Sequence, residues 1–458
     1  MNMDQLSDWL DANEITTVRT EAITLDGMSV GKHLSRHKFE HCLPLGPAIS
    51  DLVLSVDPGG QFYLGFWGDW RSGVFGDIHQ CPDLSTLELL PGSPGVATCM
   101  ADHVNMAGEP LSICPRDLLQ RIVRELDKLG YSALVACEIE VMLFRESFSE
   151  AREKGFKNLT CIGSPVSLAY LNQSAHQQST FMAEVTRRLD TLQIPWDGWN
   201  DEMAPGQVEL NLPPTDPLTA CDQTHRVCQV FREVAYDLDK SVTFMGKPTT
   251  GWGNGMHIHH SLQQNGKPVF YDAGEPNSMS KVMSSWLAGL MATMNGTVSL
   301  VTPTINSYRR MVEFGAAPTT PTWAEENKST AIRLITRNPK LARIEYRIGS
   351  GELNPYLAVA AILAGGISGL KEELDLPEPA IGIAWGLPED QPRLPNNIMD
   401  AADALEADAR LTEILGSELV QHWVNTRRWE WRMFTDQCEN PDADSVTDWE
   451  LNRYFELV

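Results

Sequence analysis

The sequence lacks the patterns that mark several large classes of protein. Its nine cysteines include no CxxC pair and no closely spaced framework, which argues against a disulfide scaffold and favours a reducing compartment. It contains no phosphate-binding P-loop, no kinase-type glycine loop, no internal repeat and no low-complexity segment. The most apolar late stretch, residues 356–370, is too short to cross a bilayer, and its Ala and Gly content predicts a packed core helix.

Positive charge is scarce as well. The chain carries 36 Lys and Arg against 61 Asp and Glu, which gives a formal net charge of -25. Such a surface repels phosphodiester backbones and anionic lipids, so we expect neither a nucleic acid nor a membrane as a partner. The acidic start, MNMDQLSDWLDANEI, has no continuous apolar core, so we expect neither a secretory signal nor a transit peptide. The expected location is the cytoplasm.

The length of 458 residues exceeds one ordinary core, so we expect two domains. Short β-like runs between Gly and Pro turns predict a small β-rich domain over residues 1–108, with strands at 16–25, 51–56 and 61–66. Longer helical patterns begin at Pro115 and alternate with short strands, which predicts a large domain over residues 109–458. Its predicted helices run from Pro115 to Gly130, over 178–192, 220–240, 278–298 and 354–374, and in a set after Pro395.

One predicted strand, within YSALVACEIEVMLF, carries acids on one face and apolar residues on the other. Glu138 and Glu140 alternate with Cys137, Ile139 and Val141. Two carboxylates on one face repel each other and resist desolvation unless a cation or a proton lies between them. A metal site and an exposed edge strand both fit this segment taken alone.

Ionic faces recur in three further predicted strands. They carry Gln207, Glu209 and Asn211 in one strand, with Glu202 just before it; His257, His259 and Ser261 in the next; and Arg343, Glu345 and Arg347 in the last. A single histidine or an RxExR run usually has a structural role. Four such faces cannot all be exposed edges of a compact domain, so we predict one shared catalytic pocket.

The composition of this pocket indicates its ligands. Five carboxylates and one imidazole suit Mg²⁺ or Mn²⁺ better than zinc. Basic residues in the same part of the sequence are available for phosphate groups: Arg310, Arg333, Lys340, Arg343 and Arg347. Metals beside an arginine-rich wall predict a nucleotide triphosphate as a ligand.

From about residue 15 to 375 the chain resembles the glutamine synthetase family. The motifs that carry the resemblance are CEIEVMLF, DEMAPGQVE, GNGMHIHHSL, NSYRR, NKSTAIR, PKLARIEYR and NPYLAVAAIL. The resemblance implies an α+β fold, with a small N-terminal β-grasp domain and a large catalytic domain whose curved antiparallel sheet is flanked by helices. It also implies a dodecamer of two stacked hexameric rings, in which a neighbour's small domain completes each active site.

The resemblance also implies roles for individual residues. Glu140, Glu202 and Glu209 would hold one metal ion, and Glu138, His257 and Glu345 the other. His259, Ser261, Lys340 and Arg343 would bind ATP, together with Lys328, which stands where the family usually has arginine. Gly253, Arg310 and Arg347 would bind glutamate, and Arg333 would meet the transferred phosphate. The implied reaction makes an acyl phosphate from glutamate and ATP, which an amine then converts to an amide.

Two positions depart from the ammonia-using members of the family. Ala316 occupies the place of a flap glutamate that closes the site and helps to take the ammonium proton. A methyl group leaves volume for an amine with a carbon substituent, although Glu313 is a candidate substitute for the missing acid. Trp252 replaces an asparagine that contacts the amino-acid substrate, which puts glutamate itself in question. The alternative for Trp252 is loop packing.

The small domain shows weaker matches to the amine site. Asp77 matches one ammonium-site aspartate by spacing, and Asp69 matches the other if the intervening loop is shortened. Phe66, Trp67 and Trp70 would form an apolar or cation-π wall for an alkylammonium head, or belong to the domain core.

The resulting hypothesis is an ATP-dependent ligase of the γ-glutamyl-amine branch, acting on glutamate and a small alkylamine such as isopropylamine. Polyamines, ethanolamine and aromatic amines stay open as substrates. The alternatives are an ammonia-using glutamine synthetase and a catalytically silent, ring-forming relative. The segment PAIGIAWGLPEDQP lacks an evident tyrosine for nucleotidyl regulation, so we expect no such control.

Overall fold

The computed structural model describes residues 3–63, 76–388 and 390–457. The strands of the N-terminal part form a seven-stranded sheet in which β1 and β7 pair in parallel. These strands are β1 (Thr17–Ile23), β2 (Ser29–Val30), β3 (His33–Ser35), β4 (Ala48–Ser50), β5 (Asp77–Pro82), β6 (Glu88–Leu89) and β7 (Val96–Val104). Leu6 and Leu10 of the first helix pack with Phe39 and Val18 to form the core of this part.

The second sheet has nine strands in the order β14-β15-β16-β12-β8-β10-β9, with β11 beside β8 and β13 beside β12. All of its pairs are antiparallel except β14 with β15. The strands are β8 (Ser132–Phe144), β9 (Gly198–Asp201), β10 (Gln207–Asn211), β11 (Ser241–Thr243), β12 (Met256–Gln264), β13 (Lys267–Pro268), β14 (Trp323–Glu325), β15 (Ile332–Ile335) and β16 (Arg343–Tyr346).

Fourteen α-helices are assigned within the described residues. They are α1 (Met3–Ala12), α2 (Arg36–Cys42), α3 (Pro115–Lys128), α4 (Phe148–Glu153), α5 (Asn172–Thr191), α6 (Pro217–Asp237), α7 (Lys281–Ala292), α8 (Met294–Val301), α9 (Ile305–Arg310), α10 (Pro355–Lys371), α11 (Ile398–Ala407), α12 (Ala409–Leu415), α13 (Ser417–Gln437) and α14 (Asp448–Tyr454). Helix α10 is buried almost throughout, as its composition predicts. No described helix has both the length and the apolar character needed to cross a membrane.

The predicted α+β class is confirmed, but some predicted elements are wrong. Residues 51–56 were predicted as a strand, whereas Asp51–Leu54 form a 3-10 helix because the Ser50 hydroxyl caps the amide of Leu52. The helix predicted over 278–298 is two helices, α7 and α8, separated at Thr293. The strand predicted over 61–66 lies partly outside the described residues.

Arg116 of α3 joins the N-terminal sheet to the rest of the chain. Its guanidinium, which is 2% exposed, binds both oxygens of Asp222 in α6 at 2.8 and 2.9 Å. It also donates to Asp83 at 2.7 Å and to Asp102 of β7 at 3.2 Å. Three carboxylates from both parts of the chain therefore depend on one buried cation.

Replacing Arg116 with Ala is expected to lower the free energy of unfolding by about 3–5 kcal/mol, because Asp222 would be left buried without its counter-ion. Urea denaturation followed by circular dichroism measures this. Arg124→Ala is the matched control on the same helix. Its side chain is exposed and lies 4.0 Å from Asp117, so its loss should cost less than about 1 kcal/mol. Equal effects of the two variants would contradict this account.

Candidate active site

The four ionic strand faces lie on one side of the second sheet. Glu138 of β8 is directly opposite His257 of β12, and Glu140 is opposite Glu209 of β10. Glu345 of β16 is opposite His259 of β12 on one side and Arg333 of β15 on the other. Directly opposite residues in antiparallel strands project to the same face. The apolar residues that alternate with them, such as Ile139, are fully buried on the other face.

A cavity of about 390 Å³, here called the acid cavity, is lined by most of the predicted site residues. They are the acids Glu138, Glu140, Glu202, Glu209 and Glu345; the basic residues His257, Arg310, Lys328, Arg333 and Arg347; and Trp252, Gly253 and Ala316. A second cavity of about 360 Å³ adjoins it, because Glu138 lines both. This second cavity contains the predicted ATP residues His259, Ser261, Lys340 and Arg343, whereas Lys328 lies in the acid cavity.

Glu138 is held between two histidines. One of its oxygens is 3.0 Å from Nδ1 of His257, and the other is 2.8 Å from Nε2 of His259. Arg343 donates to Nδ1 of His259 at 3.1 Å. Because arginine can only donate, His259 accepts at Nδ1 and its Nε2 donates to Glu138. Burial would raise the pKa of Glu138, but the hydrogen bonds from the two histidines lower it overall.

Glu345 is the most deeply buried of the acids, at 1% exposure. Arg333 donates to one of its oxygens at 3.1 Å and Arg347 donates to the other. Burial opposes ionisation, but the positive charges of Arg347 and of His257 lower the pKa of Glu345 below its usual value. Glu345 is therefore an ionised carboxylate at the centre of a basic group of side chains.

The other three acids repel one another. Burial, together with the charges of Glu138 and Glu140, raises the pKa of Glu209 to about 7. Burial and the charge of Glu140 raise the pKa of Glu202. Glu140 itself accepts from two uncharged donors, the Gly255 amide at 2.6 Å and the Gln207 side chain at 2.9 Å. A cation among these carboxylates would relieve the repulsion.

The donor set fits hard divalent ions. Ligand atoms of Glu138, His259 and Glu345 lie within 4.8 Å of one another, close enough for one ion. The family resemblance groups His257 with Glu138 and Glu345, and Nδ1 of His257 lies 3.0 Å from Glu138 and 3.8 Å from Glu345. Oxygen ligands predominate among all of these residues, which favours Mg²⁺ or Mn²⁺ over softer metals.

The repulsion predicts a stability difference that depends on metal. Glu209→Gln is expected to raise the unfolding free energy of EDTA-treated protein at pH 8 by about 1–2 kcal/mol. Ionised Glu209 destabilises the folded protein, and glutamine removes this destabilisation. The destabilisation is absent below the pKa of Glu209 in the unfolded chain and grows as the pH rises toward its pKa of about 7 in the folded protein. Differential scanning calorimetry with EDTA and with 10-fold spaced Mg²⁺ concentrations tests this. In excess Mg²⁺ the wild-type protein should be more stable than the Gln variant. A Gln variant that is less stable than wild type in EDTA would refute the interpretation.

The loop over residues 313–316, here called the flap, includes the position that lacks the glutamate. Ala316 lines the acid cavity and has a left-handed backbone, with φ +64°. The Glu313 carboxylate is held elsewhere: it accepts from the Gly386 amide at 2.7 Å and the Thr319 hydroxyl at 2.8 Å, and it pairs with Arg393. Glu313 does not line the cavity, so it does not replace the missing flap glutamate.

The residues that the resemblance assigns to glutamate include two buried arginines. Arg310 is 5% exposed and donates to the carbonyl of Ile348 at 2.9 Å, while Arg347 lies beside Glu345. The Gly253 carbonyl accepts from Gln207 at 2.9 Å. Trp252 lines the cavity and also packs against the apolar core, so its two interpretations are compatible.

The predicted small-domain residues are not in this group. Asp77 is exposed at the start of β5 and lines neither cavity of the described chain. Asp69, Phe66, Trp67 and Trp70 lie outside the described residues. Their roles at the amine site stay predictions.

The sequence did not predict two aromatic residues that line the acid cavity. Tyr170 and Trp385 both contribute to its wall. Tyr170 precedes α5 in a turn, and Trp385 belongs to a stretch with several Gly and Pro residues that is in neither a helix nor a strand. Neither lies in a periodic segment, so no pattern in the sequence pointed to the cavity.

Residues 112–454 match the family model described as "Glutamine synthetase, catalytic domain". The chain belongs to the glutamine synthetase family. That membership makes it a carbon–nitrogen ligase by family, in a family whose enzymes use ATP and divalent metals.

Several relatives span nearly the whole of this glutamine synthetase-family chain. It is 30% identical over 462 residues to glutamate–isopropylamine ligase of Pseudomonas sp, covering 99% of this chain and 98% of the relative. It is 31% identical to gamma-glutamylethanolamide synthetase GlnA4 of Streptomyces coelicolor, covering 100% and 96%. It is 30% identical to type-1 glutamine synthetase 2 of Dictyostelium discoideum, covering 96% and 84%. The resemblance to the amine-ligase branch therefore holds over the full length.

A solved structure titled "GmaS/ADP complex-Conformation 1" superposes on this family member with a TM-score of 0.81, at 25% identity and with 98% of each chain covered. This likeness supports the predicted fold class, with a small sheet followed by a large curved one flanked by helices.

Proposed function

We propose that the protein joins the side-chain carboxyl of glutamate to a small organic amine at the expense of ATP, with isopropylamine as the representative substrate. The observation that carries the proposal is the flap. Ala316 offers only a methyl group to the acid cavity, and the nearby Glu313 is bound to Arg393, Thr319 and Gly386. An ammonia site needs an acid group at this place, whereas an alkyl substituent needs the space.

The acids of the cavity are proposed to hold Mg²⁺ or Mn²⁺, with Glu140, Glu202 and Glu209 at one ion and Glu138, His257 and Glu345 at the other. Such ions supply charge neutralisation for the transferring phosphoryl group. Four residues of the second cavity, which meets the acid cavity at Glu138, are proposed to bind ATP: His259, Ser261, Lys340 and Arg343. Lys328 is proposed to reach the phosphates from the acid cavity.

The residues of the chain would act on glutamate in two steps. Arg310 and Arg347, together with the Gly253 backbone, are proposed to hold glutamate so that its γ-carboxylate attacks the γ-phosphorus of ATP. An O–P bond forms, the bond to ADP breaks, and Arg333 meets the charge that develops on the phosphate. The amine nitrogen then attacks the acyl carbon, the C–O bond to phosphate breaks, and the nitrogen loses a proton to an acid group.

The amine-side acids are proposed to come from another copy of the chain. In a dodecamer of two stacked hexameric rings, the small domain over residues 1–108 would present Asp69 and Asp77 to the catalytic domain over 109–458 of its neighbour. The exposure of Asp77 in the single chain is compatible with this role. Mass photometry tests the assembly: a twelve-subunit species supports it, and a monomer at micromolar concentration contradicts it.

The function is tested by phosphate release from Mg²⁺-ATP and glutamate with ammonium, methylamine, isopropylamine, ethanolamine, putrescine and aniline. A preference for one organic amine supports the proposal and names the substrate. Release with ammonium alone would make the protein a glutamine synthetase in activity. No release with any amine would favour another acid substrate, as Trp252 allows, or a catalytically silent relative.

A further inference from the structure

Trp385 lines the acid cavity, and no other described residue of its segment does so. The segment spans residues 384–393, with position 389 outside the described chain, and none of its described residues is in a helix or strand. The Trp385 ring packs edge-on against Phe314 with 6.2 Å between ring centroids. Phe314 is two residues before Ala316, and Ala316 lines the same cavity as Trp385, so the indole lies beside the flap.

The 384–393 segment is bound to the flap at several points. The Gly386 amide and Arg393 both bind Glu313, and Arg393 also donates to the Leu387 carbonyl at 2.8 Å. At the start of the segment, the Ala384 amide donates to the Ser329 hydroxyl at 2.9 Å. These bonds fix the backbone on both sides of Trp385, so the indole is a defined wall of the cavity.

The indole is held by packing alone. Its N–H is buried and has no acceptor among the described residues. The side chain can therefore be exchanged for phenylalanine without breaking a hydrogen bond, and any effect of that exchange reports on ring size and shape.

The lining of the cavity includes both apolar and charged residues. Trp385, Ala316, Ala317 and Met203 contribute apolar surface, whereas the acids and arginines supply the charged surface. An alkylammonium ion likewise combines charged and apolar surface, in its cationic head and its carbon substituent. The head is attracted by the carboxylates and the substituent by the apolar surface, and an amine that carries its own carboxylate is repelled by the acids.

We propose that Trp385 is a specificity-determining residue whose indole bounds the space beside Ala316 and selects the size of the carbon substituent on the amine. The inference rests on the proposed function and adds to it the side chain that sets the substrate range. A short, apolar substituent of a few carbons fits against the indole. A ring-sized substituent would clash with the indole.

Trp385→Ala should weaken the use of the preferred small alkylamine and improve the use of a bulkier amine. We expect kcat/KM for isopropylamine to fall about tenfold and the ratio of benzylamine to isopropylamine to rise at least about tenfold, since each carbon group in such a pocket changes discrimination by that order. The KM values for glutamate and ATP should stay within about twofold. The measurement is steady-state phosphate release by the full-length protein in Mg²⁺.

Two further variants separate contact with the amine from other effects. Trp385→Phe should shift the same ratio in the same direction by a smaller factor, and it provides the test if the alanine variant fails to fold. Ile383→Ala shortens an exposed side chain two residues before Trp385 that lines no part of the cavity, so its ratio should change less than about threefold. A merely structural role of Trp385 would lower the rates with all amines equally.

The outcomes distinguish this inference from the function on which it rests. If wild-type protein uses an organic amine and the Trp385 variants keep its amine ratios, the inference is wrong and the proposed function stands. If Ile383→Ala shifts the ratio as much as Trp385→Ala, a general change in this part of the chain and not the loss of the indole alters the ratio, and the inference is also wrong. If wild-type protein uses no organic amine, the proposed function fails and the inference fails with it.

Discussion

Glu345→Ala is expected to reduce metal-dependent phosphate release by at least about a thousandfold with every amine in the panel. Glu345 is a candidate metal ligand and is also the carboxylate that Arg333 and Arg347 both bind. Its removal would take away one ligand and leave the buried Arg347 without its carboxylate partner, while Arg333 would keep only its bond to Glu326. The variant would therefore bind the ion less tightly, and Arg333 and Arg347 would lose the carboxylate that positions them. Steady-state phosphate release across a range of Mg²⁺ concentrations measures the effect.

The control variants separate chemistry from folding. Glu345→Gln keeps the volume and a hydrogen-bond acceptor, and it should be nearly as inactive because a neutral amide is a poor ligand for Mg²⁺. Glu325→Ala alters an exposed glutamate at the end of β14 in the same sheet and should keep most of the activity. A folded Glu345→Gln protein with more than about a tenth of the wild-type rate would rule out the assigned metal site.

Ala316→Glu should raise the use of ammonium relative to isopropylamine by about a hundredfold. The new carboxylate would restore a group that can take a proton from ammonium, an effect of that order in general-base catalysis. It would also fill the volume next to Trp385 that an alkyl substituent needs. The ratio of kcat/KM for the two amines is the quantity to measure, because it cancels changes in ATP and glutamate binding.

Ala316→Gln is the matched variant, since it adds the same bulk without the charge. It should reduce isopropylamine use without improving ammonium use. All of these residues would occupy the same left-handed backbone, so Ala316→Gly shows how much of any change comes from relief of that conformation. An unchanged amine ratio in Ala316→Glu would mean that this position does not select the amine.

The sequence predicted the strands of the site well because each combines an apolar face with an ionic one. Alternation of period two placed Glu138 and Glu140 together, and the same rule grouped Arg343 with Glu345. The register between strands is not in the pattern, so the pairing of Glu138 with both His257 and His259 had to come from the structure. Which histidine joins Glu138 and Glu345 at one ion depends on that register.

Non-periodic segments were predicted less well. Residues 51–54 have the composition of a strand, but the local hydrogen bond from Ser50 gives a helical turn. Trp385 sits between glycines and prolines, and only tertiary contacts with Phe314 and Glu313 bring its segment to the cavity. Long-range contacts of this kind leave no trace in a single sequence.

The position of β8 at the middle of the sheet has a consequence for biosynthesis. This strand pairs with β10, β11 and β12, and β12 in turn pairs with β16, which ends at Tyr346. While the ribosome is still making the chain, β8 emerges long before the histidines and arginines that neutralise its acids. The large sheet cannot close until most of the polypeptide has been released, because its pairings are distant in sequence. The catalytic part is therefore expected to mature late, with the apolar face of β8 in need of chaperone protection until then.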